Sequence, residues 1–168
     1  HCEVIDITKH DDFTKPQGYN KIKDIIQNNE HVAVLVSFPC TGGCLWNVGI
    51  NAKNPRCQAK LQGHWALFKK LWNNFEKLFR EVGPFNMIFE WPKSTTYWQR
   101  RRVRNLFHSL NMYFTEFDGC QMGLHAKPSP GEDISRTFLR KPWRFATNIP
   151  DVLPEFNLRC PGENANHK

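Results

Sequence analysis

One stretch of the chain constrains its fold more than any other. Leu61, Trp65, Phe68, Trp72, Phe75, Phe79 and Val82 recur every three or four residues, the spacing of a single helical face. The apolar run HVAVLVSF (31–38) precedes this stripe, and FNMIF (85–89) follows it once Gly83-Pro84 has stopped the helix. The run 31–38 is apolar at successive positions, as in a strand buried on both faces. A helix from about Arg56 to Val82 between two such strands predicts a right-handed crossover and parallel pairing.

The alternation continues in both directions. Residues Cys2 to Thr8 (CEVIDIT) read as a short strand, and Tyr19, Ile22, Ile25 and Ile26 then share one helical face. Downstream, Val103, Leu106, Phe107 and Leu110 form the inner face of another helix. Met112 to Phe117 and Trp143 to Thr147 read as strands, and Pro150 to Phe156 as a short helical turn. Residues 39–55 (PCTGGCLWNVGINAKNP) show no regular period and read as loop, as does the polar segment His125 to Arg140. The expected fold is α/β, an open, mainly parallel, Rossmann-like sheet with helices on both faces. One domain is expected over residues 1–158, with 159–168 a flexible tail.

A chain of 168 residues can bury a core without covalent staples. Its six cysteines lie in apolar or turn contexts, so reduced thiols in an intracellular protein are expected, in nucleus or cytoplasm. The opening HCEVIDITKH lacks a leader pattern, no Asn-x-Ser/Thr acceptor occurs, and no apolar run is long enough to span a membrane. Lys and Arg number 23 against 16 Asp and Glu, a net charge of +7. That balance favours a polyanionic partner, nucleic acid, with DNA ahead of RNA. Arg100, Arg101, Arg102 and Arg104 concentrate the charge; the alternative is a solvated helix face.

In an open parallel sheet, ligands bind beyond the carboxyl ends of the strands. Four segments stand there: Asp6-Ile7-Thr8, Pro39 to Gly43, Glu90-Trp91-Pro92 and Asp118-Gly119-Cys120. Each has a purely structural alternative. Cys40 is a small apolar residue at a strand end, Glu90 an arginine partner or a cap, and Asp118 the start of a turn.

At these segments the chain resembles a known family. Ser-Phe-Pro-Cys-Thr (37–41) is similar to the Pro-Cys motif of cytosine-C5 DNA methyltransferases, and Phe-Glu-Trp-Pro (89–92) resembles their Glu-Asn-Val motif. Nearly the whole length also resembles methyltransferase-like segments of retroelement polyproteins, through PCTGGCLWN, FEWP followed by YW, FDGCQMGL, KPWRFATN and CPG. Other segments of such a polyprotein are then implied partners.

The resemblance implies an S-adenosylmethionine-dependent nucleic-acid methyltransferase. Cys40 would add to C6 of cytosine, its thiol pKa lowered by the loop, and Glu90 would hold or protonate N3. Asp6 and Pro39 would border the cofactor. Thr41, Arg100, Arg101, Arg102 and Arg104 would contact nucleic acid, and Trp46 or Trp91 would stack on the extruded base. The implied alternative is a non-catalytic module of the same fold that binds nucleic acid or a protein. The chain departs from the family pattern at three points. It lacks the Gly-rich first strand-turn-helix, has Thr41-Gly42-Gly43 where Gln follows the cysteine, and has Trp-Pro after Glu90.

Cys40, Cys44, Cys57 and His64 offer four soft ligands for tetrahedral zinc, with Cys160 and His167 as further ligands. Their spacing matches no paired-ligand pattern, so the sequence does not favour zinc. The Thr-Gly-Gly loop also offers backbone N–H groups to a phosphate, without the lysine of a P-loop.

Overall fold

Two strands joined by one long helix run side by side and in the same direction. The computed structural model describes residues 3–7, 10–128, 130–131 and 138–162. The elements are α1 (Pro16–Asn28), β1 (Ala33–Val36), α2 (Leu45–Gly49), α3 (Pro55–Val82), β2 (Asn86–Pro92), α4 (Arg101–Ser109), β3 (Tyr113–Asp118) and β4 (Pro142–Thr147). Helix α3 follows the expected stripe from end to end. Asn54 caps it by accepting from the Arg56 backbone N–H, Pro55 occupies its first turn, and Gly83 at φ 78° ends it.

The sheet is open, four-stranded and mixed, in the order β1-β2-β4-β3. Strands β1 and β2 pair in parallel, with Val36 opposite Phe89. Strand β4 then inserts antiparallel between β2 and β3. The expected mainly parallel sheet is thus corrected, since one of three pairings is parallel. Among the described residues between β3 and β4 the regular structure is a 3-10 turn, Gly119–Met122, in place of a crossover helix, and β4 enters antiparallel to β3.

Strand alternation sets the core. Met87, Phe89 and Trp91 of β2 point to one face and are fully buried. Tyr19 and Ile26 of α1, Trp72, Phe75, Leu78 and Phe79 of α3, and Val103 and Phe107 of α4 join them in one continuous cluster. Burying side chains of this size contributes roughly 1.5–3 kcal/mol each. The helices therefore share one core and do not divide between two faces. On the opposite side Phe117 and Phe145 are covered by Phe156, whose ring centre lies 5.9 and 4.9 Å from theirs. The cover there is a pair of 3-10 turns, Pro150–Val152 and Pro154–Phe156.

Three local expectations also change. Residues 3–7 are not a strand: Val4, Ile5 and Ile7 are exposed and pair with nothing in the sheet, while Cys2 and Thr8 lie outside the described residues. The expected loop 39–55 contains α2 and two 3-10 turns. The expected tail is anchored at its start, because Asp118 accepts from the Cys160 backbone N–H at 2.8 Å and donates its own N–H to Leu158. Among the described residues no disulfide joins Cys40, Cys44, Cys57, Cys120 or Cys160, and no helix is long and apolar enough to cross a membrane.

Candidate functional site

The parallel register of β1 and β2 brings their carboxyl ends together, and side chains on both faces of β2 fasten the chain that leaves β1. On one face the Ser37 hydroxyl donates to the Glu90 carboxylate at 2.5 Å. On the other, the buried Trp91 indole N–H donates to the Phe38 carbonyl at 2.7 Å. Residues 37–40 are thereby held across the end of β2. Cys40 then opens a 3-10 turn over Thr41–Gly43, closed by the Gly43 N–H on the Cys40 carbonyl at 2.9 Å.

Packing explains the two glycines of this turn. A Cβ at Gly42 would sit 2.3 Å from the Tyr97 hydroxyl oxygen, and one at Gly43 would sit 2.4 Å from Thr95 Oγ1. No larger residue fits between the turn and residues 95–97. Trp65 and Thr96 complete the clamp, donating to the carbonyls of Gly42 at 2.7 Å and Gly43 at 3.2 Å. Thr-Gly-Gly after the cysteine is therefore a steric requirement of this chain.

The electrostatics converge on Cys40. Burial pushes its thiol pKa up, the Glu90 carboxylate adds to the rise, and Lys141 opposes it. The expected lowering by the loop is thus corrected: half-buried and beside a carboxylate, the thiol is held in its protonated form. Next to the turn, the Tyr97 hydroxyl is fully enclosed and has no hydrogen-bond partner among the described residues. Its pKa is pushed to about 12 by burial, with Arg100 pulling down and Cys40 pushing up. Cys40, Glu90, Tyr97, Arg100 and Lys141 form one electrostatic neighbourhood at the end of β1 and β2.

The other expected residues are distributed less tightly. Pro39 and Thr41 are exposed at the rim, and the Thr41 carbonyl is taken by the Asn47 side chain at 2.6 Å. Asp6 is exposed, outside the sheet strands. Exposed as they are, Asp6 and Pro39 do not by themselves enclose a pocket for S-adenosylmethionine among the described residues. Trp91 is 0 % exposed and cannot stack on a base, whereas Trp46 is 62 % exposed and can. The arginines separate into two groups. Arg102 is bound to Glu76 through two nitrogens and to Asn73 at 2.9 Å, clamping α4 to α3. Arg100, Arg101 and Arg104 are exposed and make no ion pair among the described residues.

Among the described residues no three His, Cys, Asp or Glu side chains gather as a metal set. Cys57 and His64 lie seven positions apart on α3, about 10 Å along its axis, and His167 is outside the described residues.

Sequence reasoning missed Ser37, Trp65, Tyr97 and Lys141 as parts of this corner. The register that places Val36 opposite Phe89 also places Ser37 beside Glu90, a signal present once the two strands are paired. No family model, curated protein or solved structure matches the chain.

Proposed function

We propose that this chain is a methyltransferase-like, Rossmann-like domain that binds nucleic acid and presents Cys40 and Glu90 to an extruded cytosine. The observation that supports this reading is the tethering of the segment that carries Cys40 to β2, through Ser37 on Glu90 and Trp91 on the Phe38 carbonyl. Strands β1, β2 and β3 all run one way, linked by α3 and α4, which supports the Rossmann-like assignment despite the inserted β4.

The chemistry of the pair is self-contained. Glu90 takes the thiol proton of Cys40, and the thiolate adds to C6 of the ring. The C5–C6 electrons shift toward N3, which receives the proton back from Glu90. The product is a covalent enamine with a nucleophilic C5. Charge is conserved, and the base must first leave its stack to reach the sulfur. Methyl transfer to that C5 would need a donor pocket, which Asp6 and Pro39 do not form.

The second reading, a binding module without chemistry, is favoured by one observation, the raised pKa of the Cys40 thiol. Site-resolved alkylation tests the base-binding claim shared by the catalytic reading and a nucleic-acid-binding module. A saturating cytosine-containing single strand should slow modification of Cys40 several-fold while leaving that of Cys57, far along the chain in α3, unchanged. Equal rates at Cys40 with and without the strand would remove the base from this corner.

A further inference from the structure

A pair of clefts lies along β3, away from the Cys40 turn. Their volumes are about 440 and 360 Å³, and they share Phe114 and Arg144. Strand β3 is the sheet edge, yet it displays Phe114 at 53 % and Tyr113 at 51 % exposure. Phe114 is not loose. Trp98 and Phe107 meet it edge-on, with ring centres 6.1 and 6.3 Å away, which fixes the ring and leaves it open to solvent.

The charge around this platform is one-sided. Glu116 is the carboxylate of the larger cleft, and it is bound by Lys93 at 2.7 Å, Arg144 at 2.5 Å and Arg159 at 3.1 Å. Three cations on one carboxylate leave two positive charges in excess. The smaller cleft is lined by Arg104, Arg144 and His108, with no carboxylate among its lining residues. Arg144 lies over the Trp98 ring at 5.8 Å, which holds its guanidinium between the two clefts.

We propose that this double cleft binds single-stranded nucleic acid, with a base stacked on Phe114 and the flanking phosphates on Arg104, Arg144 and Arg159. A fixed, open aromatic ring flanked by surplus guanidinium groups is what an unstacked base and its backbone require. An acidic peptide would use the charge and leave the ring idle. A duplex keeps its bases stacked and cannot reach the ring. The groove also has a route to the Cys40 corner. Arg100 and Arg104 stand one helical turn apart, with the Arg104 N–H on the Arg100 carbonyl at 3.0 Å. Arg100 acts on Tyr97 beside Cys40, and Arg104 lines the cleft. The groove binds its strand whether or not Cys40 reacts.

Fluorescence anisotropy with a labelled single strand of about 12 nucleotides tests this, a length within the usual site size of such grooves. Phe114→Ala should weaken binding about ten-fold, as loss of one stacked base does, and Phe114→Trp should restore it. Arg104→Ala with Arg159→Ala should lower the salt slope by one to two units, about one per lost phosphate contact. Phe114→Ala should weaken binding by the same factor in a Cys40→Ala background as in the wild type, so a failure of the proposed chemistry leaves this result untouched. The inference is overturned if Phe114→Ala, with an unchanged melting temperature, binds within two-fold of the wild type. It is overturned equally if a matching duplex or poly-glutamate binds as tightly as the single strand.

Discussion

The Ser37 hydroxyl and the Glu90 carboxylate meet at 2.5 Å, fastening the chain that leaves β1 to the outer face of β2. This contact points the carboxylate toward the segment that carries Cys40, and its negative charge is one cause of the raised thiol pKa.

Removing that charge should therefore make the thiol more acidic. Glu90→Gln should move the pH midpoint of Cys40 alkylation downward, and Lys141→Met should move it upward. Both follow from the signs of the two neighbours, Glu90 raising and Lys141 lowering. Alkylation rates read by mass spectrometry at Cys40 alone give the midpoints. A midpoint that does not move in Glu90→Gln would show the two groups do not sense each other.

The Tyr97 hydroxyl is buried without a partner among the described residues, so its loss should not weaken the fold. Tyr97→Phe should be neutral or stabilising by about 1 kcal/mol, read as an unchanged or higher melting temperature. Gly42→Ala should cost about 1–3 kcal/mol, because its Cβ meets that hydroxyl at 2.3 Å. The double variant should recover part of the loss, a coupling of about 1 kcal/mol. Strict additivity would place the strain elsewhere.

Glu116 sets an acid limit on stability. Burial alone would raise its pKa, but hydrogen bonds from Lys93, Arg144 and Arg159 hold it at about 2. A carboxylate with a depressed folded pKa stabilises above its unfolded value of 4.5 and loses that contribution as pH falls to about 2. Glu116→Gln should cost about 1–2 kcal/mol at neutral pH, allowing for solvent around the cations, and nothing near pH 2. Denaturant titrations across pH should show wild type and variant converging in that window. A constant difference would assign the loss to packing.

The arginine cluster should divide by function. Arg100→Ala, Arg101→Ala and Arg104→Ala should each lower the salt slope of nucleic-acid binding by about one, since these side chains are free to meet phosphates. Arg102→Ala should instead cost about 0.5–1 kcal/mol of stability, through its bonds to Glu76 and Asn73, and change the slope less. Equal slopes for all four would contradict the division.

The sequence made some of this legible and not the rest, for physical reasons. Helix α3 announced itself because seven large apolar residues kept one period. Strand β1 was legible as a strand from its apolar run, but the expected burial on both faces is corrected, since β1 is an edge strand with Leu35 69 % exposed. The Cys40 and Glu90 segments followed from the rule that parallel strands present their ends together. The place of β4 did not, because a short amphipathic strand carries no mark of the neighbours it will choose. Val4, Ile5 and Ile7 have strong strand propensity yet remain unpaired, since propensity alone supplies no partner. The arginines looked equivalent in sequence. Only the packing of α4 on α3 shows that Arg102 is committed to Glu76. The Phe114 cleft was invisible for a related reason: Phe114, Arg104 and Arg159 meet only after β3 becomes the sheet edge.

The central claim is that the Cys40 sulfur adds to a cytosine ring with Glu90 serving the proton at N3. Exchange of the C5 hydrogen measures this without any cofactor, because the enamine takes a solvent proton at C5 and then expels the original one with the thiolate. A single strand carrying tritium at cytosine C5 should release label to water with the wild-type protein, and Cys40→Ala and Glu90→Gln should abolish the release while binding the strand. Release at the uncatalysed rate by wild type, with the strand fully bound, would contradict the account.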